Sequence, residues 1–403
     1  MSKKKKQNKQ QKQNTGNKRS QMSNLKIAIQ NVEAAFREGE KAGITVKKAK
    51  WRKTTYADYK DSVITMLNDI ARLEGSDFKR LLPKFMNGTT WDKYFEVLAN
   101  RYEEDKLSAG QIQRRVNALE AFRVMVRETN VLGKGTTIRV GNKVERLDYL
   151  KFRGVYRSKD EITAIKPSND EINAVHSNIN TKTKKGKISL AINELQVEIG
   201  GRIKSIFKLE VRDIDFNKKT ITFRNDKNNF TRTVPMTVAA EKILLNACHE
   251  KKPRSPVFTI VDSKGNDMSL EKSVKTVQRY INVAAKRSGV NRENRRFTTH
   301  SNRKKYAQNM YDKTRFKSKQ QLKKEIGKYV RNQGSNQQII VERMKKELER
   351  INAYRKINGK NLQGFSHEHL RRMLVSLHLG HSRCDVVLSY ITPDPILKRS
   401  SLR

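Results

Sequence analysis

The chain has 403 residues, with 87 Lys and Arg against 41 Asp and Glu, a formal net charge of +46 and a pI near 10.3. A polypeptide this basic repels itself unless its usual partner is a polyanion, and nucleic acid is the expected one. Cys248 and Cys384 stand alone, which argues against a disulfide framework or a thiolate zinc site and points to a reducing cytoplasm, where a nucleic-acid partner makes the nucleoid the expected setting. No apolar run approaches a membrane span, and the basic start is not followed by the apolar stretch of a signal peptide. The length suggests two or three domains, and 35% hydrophobic residues suffice for real cores.

Residues 1–24 are Lys, Gln, Asn and Ser with eight basic and no acidic side chains, a disordered arm by composition. Such an arm is equally a solubilising tail or a DNA contact. Residues 25–135 read as a helical domain of four or five helices, with Tyr59, Val63, Ile64, Leu67 and Ile70 spaced by threes and fours. Within it, Leu107–Phe122 begins with a Ser108 cap, buries Ile112, Val116, Leu119 and Phe122, and offers Arg114 and Arg115 on another face as expected phosphate contacts. Residues 136–165 carry many charges and little periodicity and read as a linker.

A second domain, 166–403, follows. Asp170 to Phe207 reads as two helices running into Gly200-Gly201-Arg202. Thr220–Arg224 and Thr231–Val234 are strand-like and flank a polar turn containing Lys227, the composition of a hairpin. Helices are predicted over Val238–Glu250, Ser269–Ser288 and after His300.

Several residues in this second domain suit phosphodiester chemistry. A phosphodiester under attack becomes a crowded, highly charged species, and catalysis consists mostly of positioning and of stabilising its oxygens. Guanidiniums at Arg202 and Arg303 offer forked donors that a lysine would not reproduce. Lys227 on a hairpin tip can reach a leaving oxygen and donate a proton. Tyr390, nine residues beyond His381, is a candidate nucleophile. Its phenol, with an ordinary pKa of about 10, needs a base or local positive charge. His367, His369 and His378 lie near in sequence, but no Cys or carboxylate cluster completes a metal set with them.

The order Arg202, Lys227, His300-x-x-Arg303, Leu379-Gly380-His381, Tyr390 resembles the tyrosine recombinase (phage integrase) family, and Leu107–Phe122 looks like the end of that family's helical core-binding domain. The resemblance covers nearly everything from residue 50 onward. It implies an α+β architecture: an all-α core-binding domain, then a mixed α/β catalytic domain of helices with a small antiparallel sheet, the two forming a C-shaped clamp. It further implies a site-specific recombinase or integrase that cuts and rejoins DNA through a 3′-phosphotyrosine and a free 5′-hydroxyl, with no cofactor. His300 would accept a proton or bind phosphate, and His381 would donate a second hydrogen bond to it. Lys204, Arg232 and Lys304 join Arg114 and Arg115 as expected DNA contacts. The implied partners are double-stranded DNA, further protomers in a tetrameric synapse, and DNA-bending accessory proteins.

Three departures from the family pattern stand out. Ser205 replaces the usual acidic residue three positions after the first arginine, and Asn302 replaces the usual Leu before the second. Arg303 and His381 are 78 positions apart, so residues near 313–368 read as a basic insert with helices over Lys317–Lys328 and Gln337–Lys356. A second His-x-x-Arg, His369 to Arg372, lies too near His381 to serve. A non-cleaving DNA-binding regulator on the same fold is the alternative reading, and a relaxing enzyme of type IB topoisomerase chemistry is a further one.

Overall fold

The computed structural model describes residues 25–46, 51–73, 88–104, 107–134, 143–155, 164–226, 230–292 and 295–394. The expected basic arm at 1–24 and Lys227 lie outside the described residues. The chain divides into two compact units, Met1–Glu161 and Ile162–Arg403.

The first unit is helical in its described residues: α1 (25–41), α2 (Lys53–Arg72), α3 (Gly88–Glu103), α4 (Ala109–Thr129) and α5 (Lys143–Phe152). Ser108 caps α4 as its sequence suggests, its hydroxyl accepting from Gln111 N–H while the Gln111 side chain accepts from Ser108 N–H. That reciprocal pair satisfies two amide donors otherwise orphaned at a helix start. The apolar stripe of α4 then packs on α2, and Phe36 of α1 stacks on Phe122 with ring centroids 6.2 Å apart. The region expected to be a linker is not loop throughout. It holds α5, whose Leu150, with Val155 just beyond, joins this core. An apolar edge of one or two side chains is too short for periodicity to reveal.

The second unit is mixed. Helices α6 (Asn169–Ser177), α7 (Lys184–Ile199) and the short α8 (Ile203–Phe207) precede a three-stranded antiparallel sheet of β1 (Ile214–Asp215), β2 (Thr220–Phe223) and β3 (Arg232–Pro235), in the order β1-β2-β3. Ile221 pairs with Val234 and Phe223 with Arg232. The buried side of this sheet forms a core with Ile192 and Leu195 of α7 and with Leu244 of α9 (Val238–Cys248). Helix α10 (Leu270–Arg287) packs against α6 and α7, and α11 (Thr299–Asp312) lies against α7.

The insert is built into this unit. Its α12 (Lys319–Arg331) buries Leu322, Ile326 and Tyr329 against α14 (His367–His378), and α13 (Gln337–Ile357) adds Ile340 to the same core. Gln333, between the two helices, takes the place of a neighbouring strand. Its amide oxygen accepts from Thr233 N–H at 2.9 Å and its Nε2 donates to Thr233 O at 2.8 Å. The short α15 (Cys384–Val387) follows, and Tyr390 sits in the turn after it rather than on a continuous helix. No helix among the described residues is long and apolar enough to cross a membrane.

Candidate active site

Local rules of chain geometry place each polar side chain of the site. Gly200 ends α7 with φ of +61°, and a Cβ there would come within 2.3 Å of the Tyr306 ring, so the sharp exit that starts α8 at Arg202 requires glycine. Thr298 caps α11, which puts His300 in its first turn and Arg303 one turn on. At the end of α14, Gly380 takes φ of +70° and His381 N–H bonds back to Ser376 O at 2.8 Å, a Schellman closure that turns His381 away from the helix axis.

These three devices bring together residues from distant parts of the sequence. Arg202 Nη2 lies 3.4 Å from His381 Nε2, and His381 Nε2 lies 3.5 Å from the Tyr390 hydroxyl. The His300 ring is 5.1 Å from the Tyr390 ring between centroids, and the Arg303 guanidinium lies 5.7 Å from the centre of that same ring. Arg303 is 1% exposed; its Nη1 and Nη2 donate to the carbonyls of Gly200 and Leu379, and its Nε has no partner among the described residues. The 78-residue separation therefore does not keep Arg303 from the His381 loop. The segment 313–368 leaves and returns packed on α14, with Leu322, Ile326, Tyr329 and Ile340 in one core with Leu370, Leu374 and Leu377, and Arg303 bonds to Leu379, two residues before His381.

His300 is an exposed residue whose ring lies against Tyr390, and desolvation there, and after it the charges of Arg303, Lys304 and Arg202, push it down to about 4. Its ring is therefore neutral near pH 7 and retains a lone pair. Desolvation, then the neighbouring charge of Arg202, also lowers Arg303 from the ordinary guanidinium range. A guanidinium nonetheless stays protonated at any physiological pH.

Beneath this surface lies a carboxylate that sequence reasoning did not single out. Asp226, one position before Lys227, accepts from Arg202 Nη1 at 2.7 Å, from Ser205 Oγ at 2.7 Å and from Arg232 Nε at 3.0 Å. Burial works to raise its pKa, but Arg232, Arg202 and the Ser205 hydroxyl outweigh it and hold the carboxyl well below the usual range. Ser205 thus stands where an acidic residue is expected and recruits the acid from the hairpin. No spacing rule links positions 205 and 226, so only the folded chain reveals the exchange.

The second departure has a similar account. Asn302 is fully buried, donates to Asn193 Oδ1 at 2.6 Å and faces His176 Nε2 across 3.4 Å from its own Oδ1. A polar ladder between α6, α7 and α11 therefore replaces the apolar contact of a Leu, and burial pushes His176 down to about 4.

Several expected DNA contacts are placed elsewhere. Arg232 is wholly buried: it bonds Asp226, donates to His378 O at 2.6 Å and lies 4.4 Å above the Phe223 ring. Lys304 is buried and donates to Ala164 O, with desolvation, then Lys166 and Arg295, lowering it to about 8. Arg115 is tied to Asp69 at 2.8 Å in a cluster with Tyr94 and Arg101. Arg232 and Lys304 correct the expectation of a surface contact, and Arg115 is half-buried with its charge paired: charge in sequence does not say which side of a helix or strand is covered. Arg114 and Lys204 are exposed.

Two further residues hold the Tyr390 segment without any sequence signal. Lys166 Nζ donates to the carbonyls of Leu388 and Ile391, on either side of Tyr390. Glu347 of the insert accepts from Cys384 N–H. His367, His369 and His378 do not converge. They bond Lys317 O, Ser366 Oγ and Tyr306 OH respectively, and no cluster of metal-ligating side chains occurs among the described residues.

Residues 168–315 match the model of the phage integrase family. The structure is similar to that of a Tn1549 transposon integrase (residues 82–397) in complex with circular intermediate DNA, at 12% identity over 91% of this chain and 96% of that one, with a TM-score of 0.48. It is also similar to lambda integrase (residues 75–356) bound to DNA, at 15% identity over 70% and 87% of the two chains and a TM-score of 0.45. A third similar structure is the XerH site-specific recombinase on a palindromic difH substrate, at 15% identity over 85% and 77% with a TM-score of 0.48. No curated protein matches the chain.

Proposed function

We propose, for a chain whose residues 168–315 match the phage integrase family model, the function of a site-specific DNA recombinase that cuts and rejoins strands through Tyr390. The observation that carries this reading is the convergence of Arg202 Nη2, His381 Nε2 and the Tyr390 hydroxyl, linked by contacts of 3.4 and 3.5 Å across 188 positions of sequence. Arg202, held by Asp226, presents its remaining donors to a non-bridging phosphate oxygen, and His381 presents a second donor beside it. Arg303 adds its charge from beneath Tyr390.

In the reaction we propose, the phenol oxygen attacks phosphorus as its proton passes to His300, whose neutral ring has a free lone pair. The 5′ oxygen leaves with a proton from Lys227, and the product is a 3′-phosphotyrosine with a free 5′-hydroxyl. The ester is preserved in energy, so a hydroxyl from the partner strand reverses the step. Exchange between two duplexes requires four active sites, hence a tetramer on DNA. Domain boundaries near residues 24, 135 and 165 belong to the same proposal.

A nicked suicide substrate tests it. The full chain is expected to give a covalent protein–DNA adduct in a denaturing gel, and Tyr390→Phe is expected to bind the same DNA and give none. Tight binding with no adduct on any cognate site would instead assign the chain to the non-cleaving regulators.

A further inference from the structure

One wall of the active site continues into the insert. A cavity of about 530 Å³ opens beside His381, lined by Arg343, Lys346 and Arg350 of α13 together with Gly380 and Arg383. Two of its four cations are neutralised: Arg350 by Glu347 at 2.8 Å, and Arg383 by Asp385. The other two have no carboxylate partner among the described residues. Arg343 packs its guanidinium 4.7 Å from the centre of the Phe230 ring, and Lys346 is exposed.

These cations are fixed relative to Tyr390. Glu347, 3% exposed and one residue after Lys346, accepts from Cys384 N–H at 2.7 Å. Ile340 is buried in the α12–α14 core, and Asn336 at the start of α13 donates to Thr231 O at 3.0 Å. The helix is therefore tied both to Thr231, one residue before β3, and to the segment that leads to Tyr390. An exposed lysine and a half-buried, stacked arginine on one helix, without a carboxylate partner among the described residues and lining one cavity with His381, suit a second anion.

We infer that Arg343 and Lys346 form a second phosphate site, which holds the DNA backbone phosphate next to the one attacked by Tyr390. The inference rests on Tyr390 as the nucleophile for its position along the strand, but not for its chemistry. The insert then acts as an added clamp on the cut strand, and its basicity serves register rather than bulk attraction.

The test is equilibrium binding of the full chain to a short random-sequence duplex over a range of salt concentrations. Each phosphate contact contributes about 0.9 to the slope of log affinity against log salt. Lys346→Gln is expected to flatten the slope by about 1 and Arg343→Gln with Lys346→Gln by about 2. Lys346 is exposed, so the single variant reads the site without risk to the fold. A wild-type slope in the double variant overturns the inference. On a substrate that the wild type cuts, a methylphosphonate beside the cleaved position should weaken wild-type binding and leave the double variant indifferent; equal loss in both overturns the assigned position. A wild-type adduct with an unchanged slope sinks the phosphate site alone, whereas a flattened slope with no wild-type adduct keeps the site and sinks cleavage.

Discussion

Glu347, on the inserted helix α13, accepts the backbone N–H of Cys384 at 2.7 Å, six residues before Tyr390. Burial works to raise the Glu347 pKa, but hydrogen bonds from Arg350 and from Cys384 N–H outweigh it, so the carboxylate stays ionised. Glu347→Ala leaves that amide without its acceptor and should cost about 1–3 kcal/mol. Single-turnover adduct formation should slow more than DNA affinity falls, and Glu347→Gln, which keeps an oxygen acceptor, should restore most of the rate. Equal loss of rate and affinity in Glu347→Ala, with no rescue, would make the residue a plain stability element.

Asp226 stabilises the fold in its ionised form, because Arg202, Arg232 and Ser205 all donate to it. A carboxyl whose folded pKa lies below its unfolded value of about 3.9 contributes fully above that pH and loses its contribution as pH falls through the folded value. Asp226→Asn leaves Arg232, which is wholly buried, without its counter-charge, at an expected cost of about 3–5 kcal/mol. Urea unfolding from neutral pH to below pH 4 should show the variant converging on the wild type as the medium becomes acidic. A constant gap across that range would contradict the assignment. Ser205→Ala removes one hydrogen bond and should cost about 1 kcal/mol.

His378 is 5% exposed, faces the Tyr306 hydroxyl at 3.0 Å through Nδ1, and is pushed down to about 3 by burial and then by Arg232. It stays neutral in the folded state where the unfolded chain would protonate it. Its contribution is therefore present above the unfolded pKa of about 6.5 and is lost at up to about 1.4 kcal/mol per pH unit as pH falls from there toward 3. His378→Asn should have a shallower dependence of stability on pH between 6 and about 4. Parallel slopes for the two proteins would show that the ring does protonate in the fold.

Gly380 combines φ of +70° with a crowded position: a Cβ there would lie 2.9 Å from Arg232 Nε and 3.3 Å from Asp226 Oδ2. Gly380→Ala should cost at least about 1–2 kcal/mol for the left-handed backbone. It should also disturb the Arg232–Asp226 pair and reduce adduct formation with little change in the salt slope of DNA binding. Unchanged thermal unfolding would show that the loop relaxes without strain.

The elements with long apolar periods were legible from sequence. Helix α4 starts at its Ser108 cap, β2 and β3 flank the predicted polar turn, and α10, α12 and α13 lie within a few residues of their expected ranges. Their apolar faces announce themselves because burial imposes a period on many positions at once. Short pieces were not legible. The two-residue β1 and the α5 helix bury too few side chains to leave a pattern.

The ordered set from Arg202 to Tyr390 was readable because its order, and the spacings His300 to Arg303 and His381 to Tyr390, resemble those of a known family, and the structure brings Arg202, His300, Arg303, His381 and Tyr390 into one place. What charge meant at each position was not readable. Arg115, Arg232 and Lys304 look in sequence like Arg114 and Lys204, yet three are tied to internal acceptors and two are exposed.

By itself the sequence determined the chemistry on offer: a phenol, two imidazoles, two guanidiniums and a surplus of positive charge, each a property of residue type. Only the tertiary structure decided which cation faces outward and which carboxylate orients Arg202. Asp226 serves Ser205 across 21 positions and Glu347 holds Cys384 across 37. Such pairings form when packing closes the chain on itself, and they leave no period or spacing in one dimension, because the partners meet through space rather than along the helix or strand that carries them.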